Sequence, residues 1–272
     1  MCVICYKDSV AKLPSKARLR EMWEANPDGA GVMWRRKDDG KVEWQKGFMS
    51  FRKFKKFFNR NYSMLNDTEV AFHFRITTHG GTCPENTHPF PVISDGLGVH
   101  DLHGVAECVM MHNGILQVTP REKDISDSGE LALRLSKLGT SEKVFASMDC
   151  LNEELTGNRI LIMGRGMTSS YGDVFKSVKG ENDGLVYSNL SFVDYEYFGG
   201  YRYHDYGCGS GGSRSARTTK TRGFVEETLP IDWDDESLAE YYGMTMEEYY
   251  EYMGLPYGSS KDIPEAKKGV NP

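Results

Sequence analysis

The chain has 272 residues, of which 39% are hydrophobic and 26% are charged, a composition typical of a globular protein with a sizeable core. Its formal net charge of -6 excludes a general attraction to nucleic acid or to an anionic membrane. The N-terminus MCVICYKDSV lacks the pattern of a signal peptide, and no apolar run approaches the roughly 18 residues of a membrane helix, so we expect a cytoplasmic protein.

The first third of the chain predicts strands around one amphipathic helix. The run CVICY begins at Cys2 and predicts a buried strand with Cys2 at its tip. A turn at 26–29 leads into GAGVMWRR, and DDGK at 38–41 separates this run from VEWQKG as in a hairpin. The phenylalanines of 50–60 recur at helical spacing, and a strand starts at Thr68.

The middle of the chain begins with a segment that is rich in Gly, Pro, His and Asn. Residues 77–104 are too irregular for regular elements and too aromatic for a disordered linker, so we expect an ordered functional loop. The remaining predicted elements are a strand at 108–114, a helix that starts near Asp127, a helix within 140–155, and strands that start at Asn158 and Asp183.

Composition divides the chain into three parts. We predict one domain at 1–198, a linker rich in Gly, Ser and Arg at 199–223, and an acidic, tyrosine-rich tail at 224–272. The extension after residue 198 is expected to be partly disordered.

Cys2 is the first candidate for chemistry. Removal of Met1 would leave a thiol and a free α-amine on one residue, and that amine, with a reference pKa of about 7.7 to 8.0, can take up and return a proton. A nucleophile and its base would then belong to Cys2 alone. On position alone, a buried structural thiol is the more common explanation.

Four motifs follow Cys2 in a fixed order: HFRITTHG at 73–80, ENTHPF at 85–90, MHNG at 111–114 and SDS at 126–128. Together with an N-terminal cysteine, they resemble the glutaminase domain of class II glutamine amidotransferases over residues 2–193. The resemblance implies an α+β fold, the four-layer αββα sandwich of N-terminal-nucleophile hydrolases.

The resemblance also implies roles for individual side chains. Arg75 would bind the glutamine α-carboxylate, and Asp127 the α-amine. Thr78 and His79 would line the substrate pocket. Asn113 and the Gly114 N–H would form the oxyanion hole. Without the resemblance, these residues are an ion-pair arginine, a helix N-cap and a hairpin turn.

Other residues resemble the family in positions that support the pocket, and two residues differ from the family pattern. Asn86, His88 and Pro89 are expected to buttress the pocket, His73 to support its strand, and the turn at 28–31 to act as scaffold. Val3 and Ile76 stand where the family usually has glycine and an aromatic residue, which indicates a divergent branch.

The expected activity is hydrolysis of L-glutamine to glutamate and ammonia. Because the residues after Gly199 are too few and too low in complexity for an ammonia-using domain, we expect a separate synthase subunit as partner, with the tail as a candidate docking element. Two alternatives remain open: an N-terminal-nucleophile hydrolase of another amide or peptide, and a catalytically idle binding module on the same fold.

Other signals predict no additional ligand. Cys2 and Cys5 form a CxxC without a second ligand pair, so we expect no metal and no cofactor. The basic, aromatic run at 50–60 favours a packed helix over direct nucleic-acid binding, and the glycines of MGRGMTSSYG lack the ending of a phosphate-binding loop.

Overall fold

The computed structural model describes residues 2–77, 81–122 and 124–193, together with Thr245. Within these residues it contains ten strands and five helices of mixed order, which confirms the α+β class. The predicted pocket residues Thr78 and His79 lie outside the described residues, as do the linker at 199–223 and all of the 224–272 tail except Thr245.

Six strands form the first antiparallel sheet. Numbered in chain order, they are β1 (Val3–Lys7), β2 (Ala30–Arg35), β3 (Val42–Phe48), β4 (Val70–Phe74), β6 (His103–Ala106) and β10 (Val186–Tyr187). Their order across the sheet is β10-β1-β4-β2-β3-β6. Phe74 pairs with Val3 on one side and with Ala30 on the other, so the start of β1 and the end of β4 lie at the same edge.

Four strands form the second sheet, which is also antiparallel. They are β5 (Phe90–Ile93), β7 (Cys108–Asn113), β8 (Arg159–Gly164) and β9 (Met167–Gly172), in the order β5-β7-β8-β9. Asn113, at the end of β7, pairs with Arg159 at the start of β8.

The helices are α1 (Lys16–Ala25), α2 (Phe51–Arg60), α3 (Tyr62–Asn66), α4 (Asp127–Ser136) and α5 (Ser141–Leu151). Four begin at a side chain that accepts a hydrogen bond from a backbone N–H of the first turn: Ser15, Ser50, Ser126 and Thr140. Among the described residues, no helix has the length and apolar character that crossing a bilayer demands.

Three hydrophobic clusters explain how these elements pack. One joins the first sheet to α1 and α2, through Val3, Cys5, Phe72 and Phe74 against Leu19, Met22, Phe54 and Phe58. Another joins the second sheet to α4 and α5, through Met110, Ile160 and Ile162 against Ala132, Leu135, Val144 and Met148. The third lies between the sheets, with Ile4, Met33 and Ala71 beside Val109, Met111 and Leu161. Each sheet therefore has helices on one face and the other sheet on its second face.

The expectation that 77–104 contains no regular elements is wrong. The segment includes a short 3-10 turn at Pro84–Asn86, the whole of β5 and the start of β6. Strand β5 has no recognisable strand pattern because it is only four residues long and contains Pro91. It is extended because it pairs with β7.

Besides β5 and β6, three elements have no counterpart among the sequence-based predictions. Helix α1 buries only Leu19 and Met22 fully, so its apolar periodicity is weak. Helix α3 is a five-residue turn, and the edge strand β9 buries only Tyr171. By contrast, the predicted helix at 50–60 and the strand at 108–114 are confirmed within one or two residues.

Candidate functional site

Three of the predicted site residues gather where strands of the two sheets end. Cys2 immediately precedes β1, Arg75 immediately follows β4, and Asn113 is the last residue of β7. Side chains alternate along a strand, so Cys2 shares a face with Ile4, Arg75 with Ala71, and Asn113 with Val109 and Met111. All of those neighbours belong to the cluster between the sheets. The three side chains therefore project towards the space between the sheets.

The Cys2 thiol is held by the main chain that leaves β4. Its Sγ donates to the Ile76 carbonyl oxygen over 3.3 Å and accepts from the Ile76 N–H over 3.4 Å. Burial raises the pKa of Cys2, while the Ile76 N–H and the charge of Arg75 act in the opposite direction. The thiol is the favoured form at neutral pH, so attack on an amide requires a base close to Sγ.

Arg75 is anchored by its backbone as well as by its side chain. Its N–H donates to Gly29 O over 2.8 Å and its carbonyl accepts from Asp28 N over 2.9 Å. Its guanidinium, on a residue only 4% exposed, donates to Gly81 O over 3.1 Å. The Asp28 carboxylate accepts from Thr77 N over 2.7 Å, so the turn at 28–31 contacts the main chain on both sides of Ile76.

Asn113 and Gly114 end β7 in a turn whose conformation requires glycine at position 114. The Asn113 side chain is buried, and its Nδ2 donates to Ser188 Oγ over 2.8 Å. Gly114 has φ of 149°, and a Cβ at this position would lie 2.3 Å from Asn158 Oδ1. Only glycine fits the turn without displacing Asn158.

The His112 side chain connects the β7 turn to Asn158 and to Ser128 of α4. Its Nε2 lies 2.9 Å from Asn158 Oδ1 and its Nδ1 lies 2.8 Å from Ser128 Oγ. Burial lowers the pKa of His112, against smaller opposing effects of the Asn158 hydrogen bond and the charge of Asp127. Because Asn158 Oδ1 can only accept, the neutral ring donates from Nε2, and its Nδ1 faces the Ser128 hydroxyl.

Asp127 links the β7 turn to α4 and is not the cap of that helix. The capping residue is Ser126, which accepts from Gly129 N over 3.2 Å. Asp127 Oδ2 accepts from Leu116 N over 2.9 Å, and Oδ1 accepts from Ser128 N over 2.8 Å. Its carboxylate thus lies against the loop that follows Gly114, where the positive end of the helix dipole stabilises a negative charge.

Ser188 and Asn189 belong to the site although the sequence does not single them out. Ser188 Oγ accepts from Ile4 N over 2.8 Å as well as from the Asn113 amide, and Asn189 Nδ2 donates to Cys2 O over 2.5 Å. Their only sequence signal is a pair of polar residues inside the apolar run LVYSNLSF, which is equally typical of a strand end.

The segment 81–90 contacts Arg75, His73 and the residues that precede α4. Asn86 Nδ2 donates to Gly81 O over 3.4 Å and to Asp124 O over 3.0 Å. The His88–Pro89 peptide is cis, and the buried His88 ring lies 4.1 Å from that of His73. His73 Nε2 lies 3.2 Å from His112 O, a geometry in which the neutral ring donates. Burial lowers the pKa of His73 to about 3 and holds that of His88 well below its usual value.

The CxxC at Cys2 and Cys5 does not converge on one ligand. Cys2 contacts the Ile76 main chain, whereas Cys5 is packed in the cluster between the first sheet and its helices. Residues three apart on a strand project to opposite faces. In the described part of the chain, no three His, Cys, Asp or Glu side chains are arranged to hold a metal ion.

Two surface cavities lie away from Cys2. One is lined by Arg35, Arg36 and Lys37 at the far end of β2, and the other by residues 8–12 and 181–184. Neither includes any predicted site residue.

No protein-family model matches the chain, and a search of characterised proteins finds no similar sequence. A functional assignment consequently depends on the residues around Cys2 and on the resemblance of their motifs.

Proposed function

We propose that the chain is the glutaminase of a glutamine amidotransferase, which hydrolyses the side-chain amide of L-glutamine through Cys2 to give glutamate and ammonia. The observation that carries this proposal is the hydrogen-bonded connection between Cys2 and Asn113 through Ser188 and Asn189. It joins the candidate nucleophile to the candidate oxyanion donor, two residues 111 positions apart in sequence.

The packing of the elements supports the finer fold assignment, a four-layer αββα sandwich of the N-terminal-nucleophile hydrolase type. Two antiparallel sheets face each other across Ile4, Met33, Val109 and Leu161, and each has helices on its outer face. Cys2 stands at the start of an inner strand of the first sheet, between β10 and β4. The thiol of Cys2 is held by the main chain of Ile76, and its carbonyl oxygen accepts from the Asn189 side chain.

The proposed reaction begins after removal of Met1. The α-amine of Cys2 takes the thiol proton, and Sγ forms a bond to the side-chain carbonyl carbon of glutamine. The protonated amine then donates to the leaving nitrogen, so that ammonia departs and a thioester remains. Water, activated by the same amine, adds to the thioester, and glutamate leaves as Sγ regains its proton. The raised pKa of the buried thiol makes this intramolecular base necessary.

Two donors are available for the tetrahedral oxyanion. The Asn113 amide carries two N–H groups, and its bond to Ser188 uses one of them. The second, together with the Gly114 N–H, is proposed to donate to the oxyanion. Loss of one such donor typically lowers kcat by about 10² to 10³.

Charges around the site suit an amino acid. Arg75 would pair with the α-carboxylate, and Asp127 with the α-ammonium group. Thr78 and His79 remain proposed pocket residues by resemblance. A separate ammonia-accepting synthase remains the proposed partner.

The test compares glutamate release by the protein lacking Met1 with that of Cys2→Ala. We expect the substitution to abolish release, because no other group would attack the amide. Cys150→Ala is the matched control, since Cys150 is an exposed free cysteine on α5. Unchanged glutamate release by Cys2→Ala would contradict the proposal.

Two other outcomes separate the alternative functions. Hydrolysis of other amides or peptides without glutamine turnover would indicate a different N-terminal-nucleophile hydrolase. Retention of Met1 in the mature protein, measured as intact mass, would favour a binding module, because a blocked amine cannot act as the base.

A further inference from the structure

Ser188 and Asn189 lie directly after the two-residue strand β10, and their side chains contact the proposed catalytic residues Asn113 and Cys2. Ser188 is fully buried, and Asn189 is 7% exposed. Residues 188 and 189 are adjacent in sequence, yet one contacts Asn113 and the other contacts Cys2. These two neighbouring residues therefore contact both halves of the proposed site.

Ser188 determines the direction of the Asn113 amide. The backbone N–H of Ile4 can only donate, and it occupies one lone pair of Ser188 Oγ over 2.8 Å. Asn113 Nδ2 donates to the same oxygen over 2.8 Å. The Ser188 N–H donates to Ile4 O over 2.9 Å, which holds the backbone of Ser188 against β1, and a rotation of its hydroxyl would break the bond from the Ile4 N–H. The bond fixes one N–H of Asn113 and hence the direction of the other.

Asn189 holds the main chain of the nucleophile. Its Nδ2 donates to Cys2 O over 2.5 Å. Its own Oδ1 accepts from Ser191 N over 3.0 Å and from Ser191 Oγ over 2.6 Å, which fixes the amide plane. Since Cys2 precedes the first pairing of β1 with β4, at Val3, this bond restrains the residue where ladder hydrogen bonds do not.

We propose that Ser188 and Asn189 are positioning residues: Ser188 aims the Asn113 amide at the oxyanion, and Asn189 holds Cys2 in place. This inference rests on the proposed glutaminase function. It assigns neither residue a contact with substrate, and both act through the groups they bind.

The first experiment measures kcat and KM for glutamine in Ser188→Ala, Asn113→Ala and the double variant. We expect Ser188→Ala to lower kcat by about 10- to 100-fold, the scale on which a small misplacement of a catalytic group slows a reaction. KM should change little, because the interaction is realised in the transition state. In the Asn113→Ala background, removal of the Ser188 hydroxyl should have no further effect on kcat.

A matched control separates positioning from loss of stability. Thr68→Val likewise removes one buried hydroxyl, which in this case donates to Arg35 O at the opposite end of β4. All variants are assayed below the onset of thermal unfolding, and Thr68→Val should retain the wild-type kcat. Losses that multiply in the double variant, or a wild-type kcat in Ser188→Ala, would overturn the role of Ser188.

The second experiment does not depend on glutamine turnover. It measures the rate at which iodoacetamide alkylates Cys2, by mass spectrometry, in wild type, Asn189→Ala and Asn152→Ala. Loss of the Asn189 bond should loosen Cys2 and accelerate alkylation several-fold, whereas Asn152→Ala, which removes a side-chain amide bonded to the Gly172 N–H, should leave the rate unchanged. An unchanged rate in Asn189→Ala would overturn the role of Asn189.

The two experiments distinguish failure of the inference from failure of the proposed function. If the processed wild-type protein releases no glutamate, the glutaminase proposal fails, and the alkylation rates alone decide whether Asn189 positions Cys2. If glutamate is released and Cys2→Ala abolishes it, the kcat values decide the role of Ser188.

Discussion

Gly114 shows most directly how one residue constrains the proposed oxyanion turn. Its φ is positive, and the space where a Cβ would stand is occupied by Asn158 Oδ1, which the neutral His112 ring also contacts. Backbone conformation and packing thus require glycine for independent reasons. The motif MHNG predicted the residue type, but only the structure relates it to Asn158.

Gly114→Ala is predicted to destabilise the protein by more than the strain of a positive φ alone, which costs about 1–3 kcal/mol. Gly166→Ala is the matched control, because Gly166 has φ of 76° with no atom near its missing Cβ. The free energy of unfolding in urea measures both. Equal losses of unfolding free energy in the two variants would show that Asn158 moves aside at no energetic cost.

His88 is predicted to make the protein sensitive to acid. Both ring nitrogens are buried and have no hydrogen-bond partner among the residues that the structure describes, and burial keeps the pKa of His88 well below 6.5. The neutral ring therefore contributes stability that is present above the unfolded-state pKa of about 6.5 and is lost as the pH falls towards the lower folded-state pKa, by up to about 1.36 kcal/mol per pH unit.

The variant His88→Leu tests this dependence between pH 6.5 and pH 4.5. Its free energy of unfolding should fall less steeply with acid than that of wild type, by about one bound proton. The exposed His103 provides the control variant His103→Leu, which should keep the wild-type slope. A slope unchanged in His88→Leu would mean that His88 is charged in the folded protein.

At the scale of elements, the sequence predicts the helices and strands whose apolar residues recur with a clear period. It does not predict the strands that are extended only because a neighbouring strand pairs with them. The phenylalanines of α2 recur every three or four residues and all face the first sheet, so sequence and packing agree. Strand β5 is extended because β7 pairs with it, and no pattern within FPVI indicates this. The positions of Ser188 and Asn189 likewise follow from β10 pairing with β1.

Lys46 ties the segment 84–102 to β3 and is predicted to be essential for its order. Its buried Nζ donates to Glu85 O over 2.7 Å and to Val99 O over 2.6 Å, although burial lowers the pKa of Lys46 to about 7. Lys46→Met leaves both carbonyls without this donor. Hydrogen exchange of the peptides covering 84–102 should become faster.

The matched control is Lys55→Met, which replaces a buried lysine of α2. It should leave exchange in 84–102 unchanged. Equal protection of this segment from hydrogen exchange in wild type and Lys46→Met would contradict the proposed role of Lys46.

At the scale of the whole molecule, both sheets and the three clusters between layers lie within residues 2–193. A variant that ends at residue 198 is therefore predicted to unfold cooperatively and to hydrolyse glutamine at the wild-type rate. Thermal unfolding and glutamate release measure this. Loss of either would show that the residues beyond 198 contribute to the fold or to the site.

The same variant tests the proposed docking role of the tail. If residues 224–272 bind the synthase, co-purification of the partner should be lost while glutaminase activity is kept. Co-purification that survives the deletion would count against the tail.

The central claim is that Cys2 is an activated nucleophile beside a glutamine pocket, and trapping tests it most directly. The measurement is peptide mass spectrometry after incubation with a glutamine analogue that carries an electrophilic carbon in place of the side-chain amide, with excess glutamine as competitor. We predict one adduct per chain, on Cys2, formed only in protein that lacks Met1 and suppressed by glutamine. No adduct on Cys2, or an equal adduct on the exposed Cys150 that glutamine does not suppress, would contradict it.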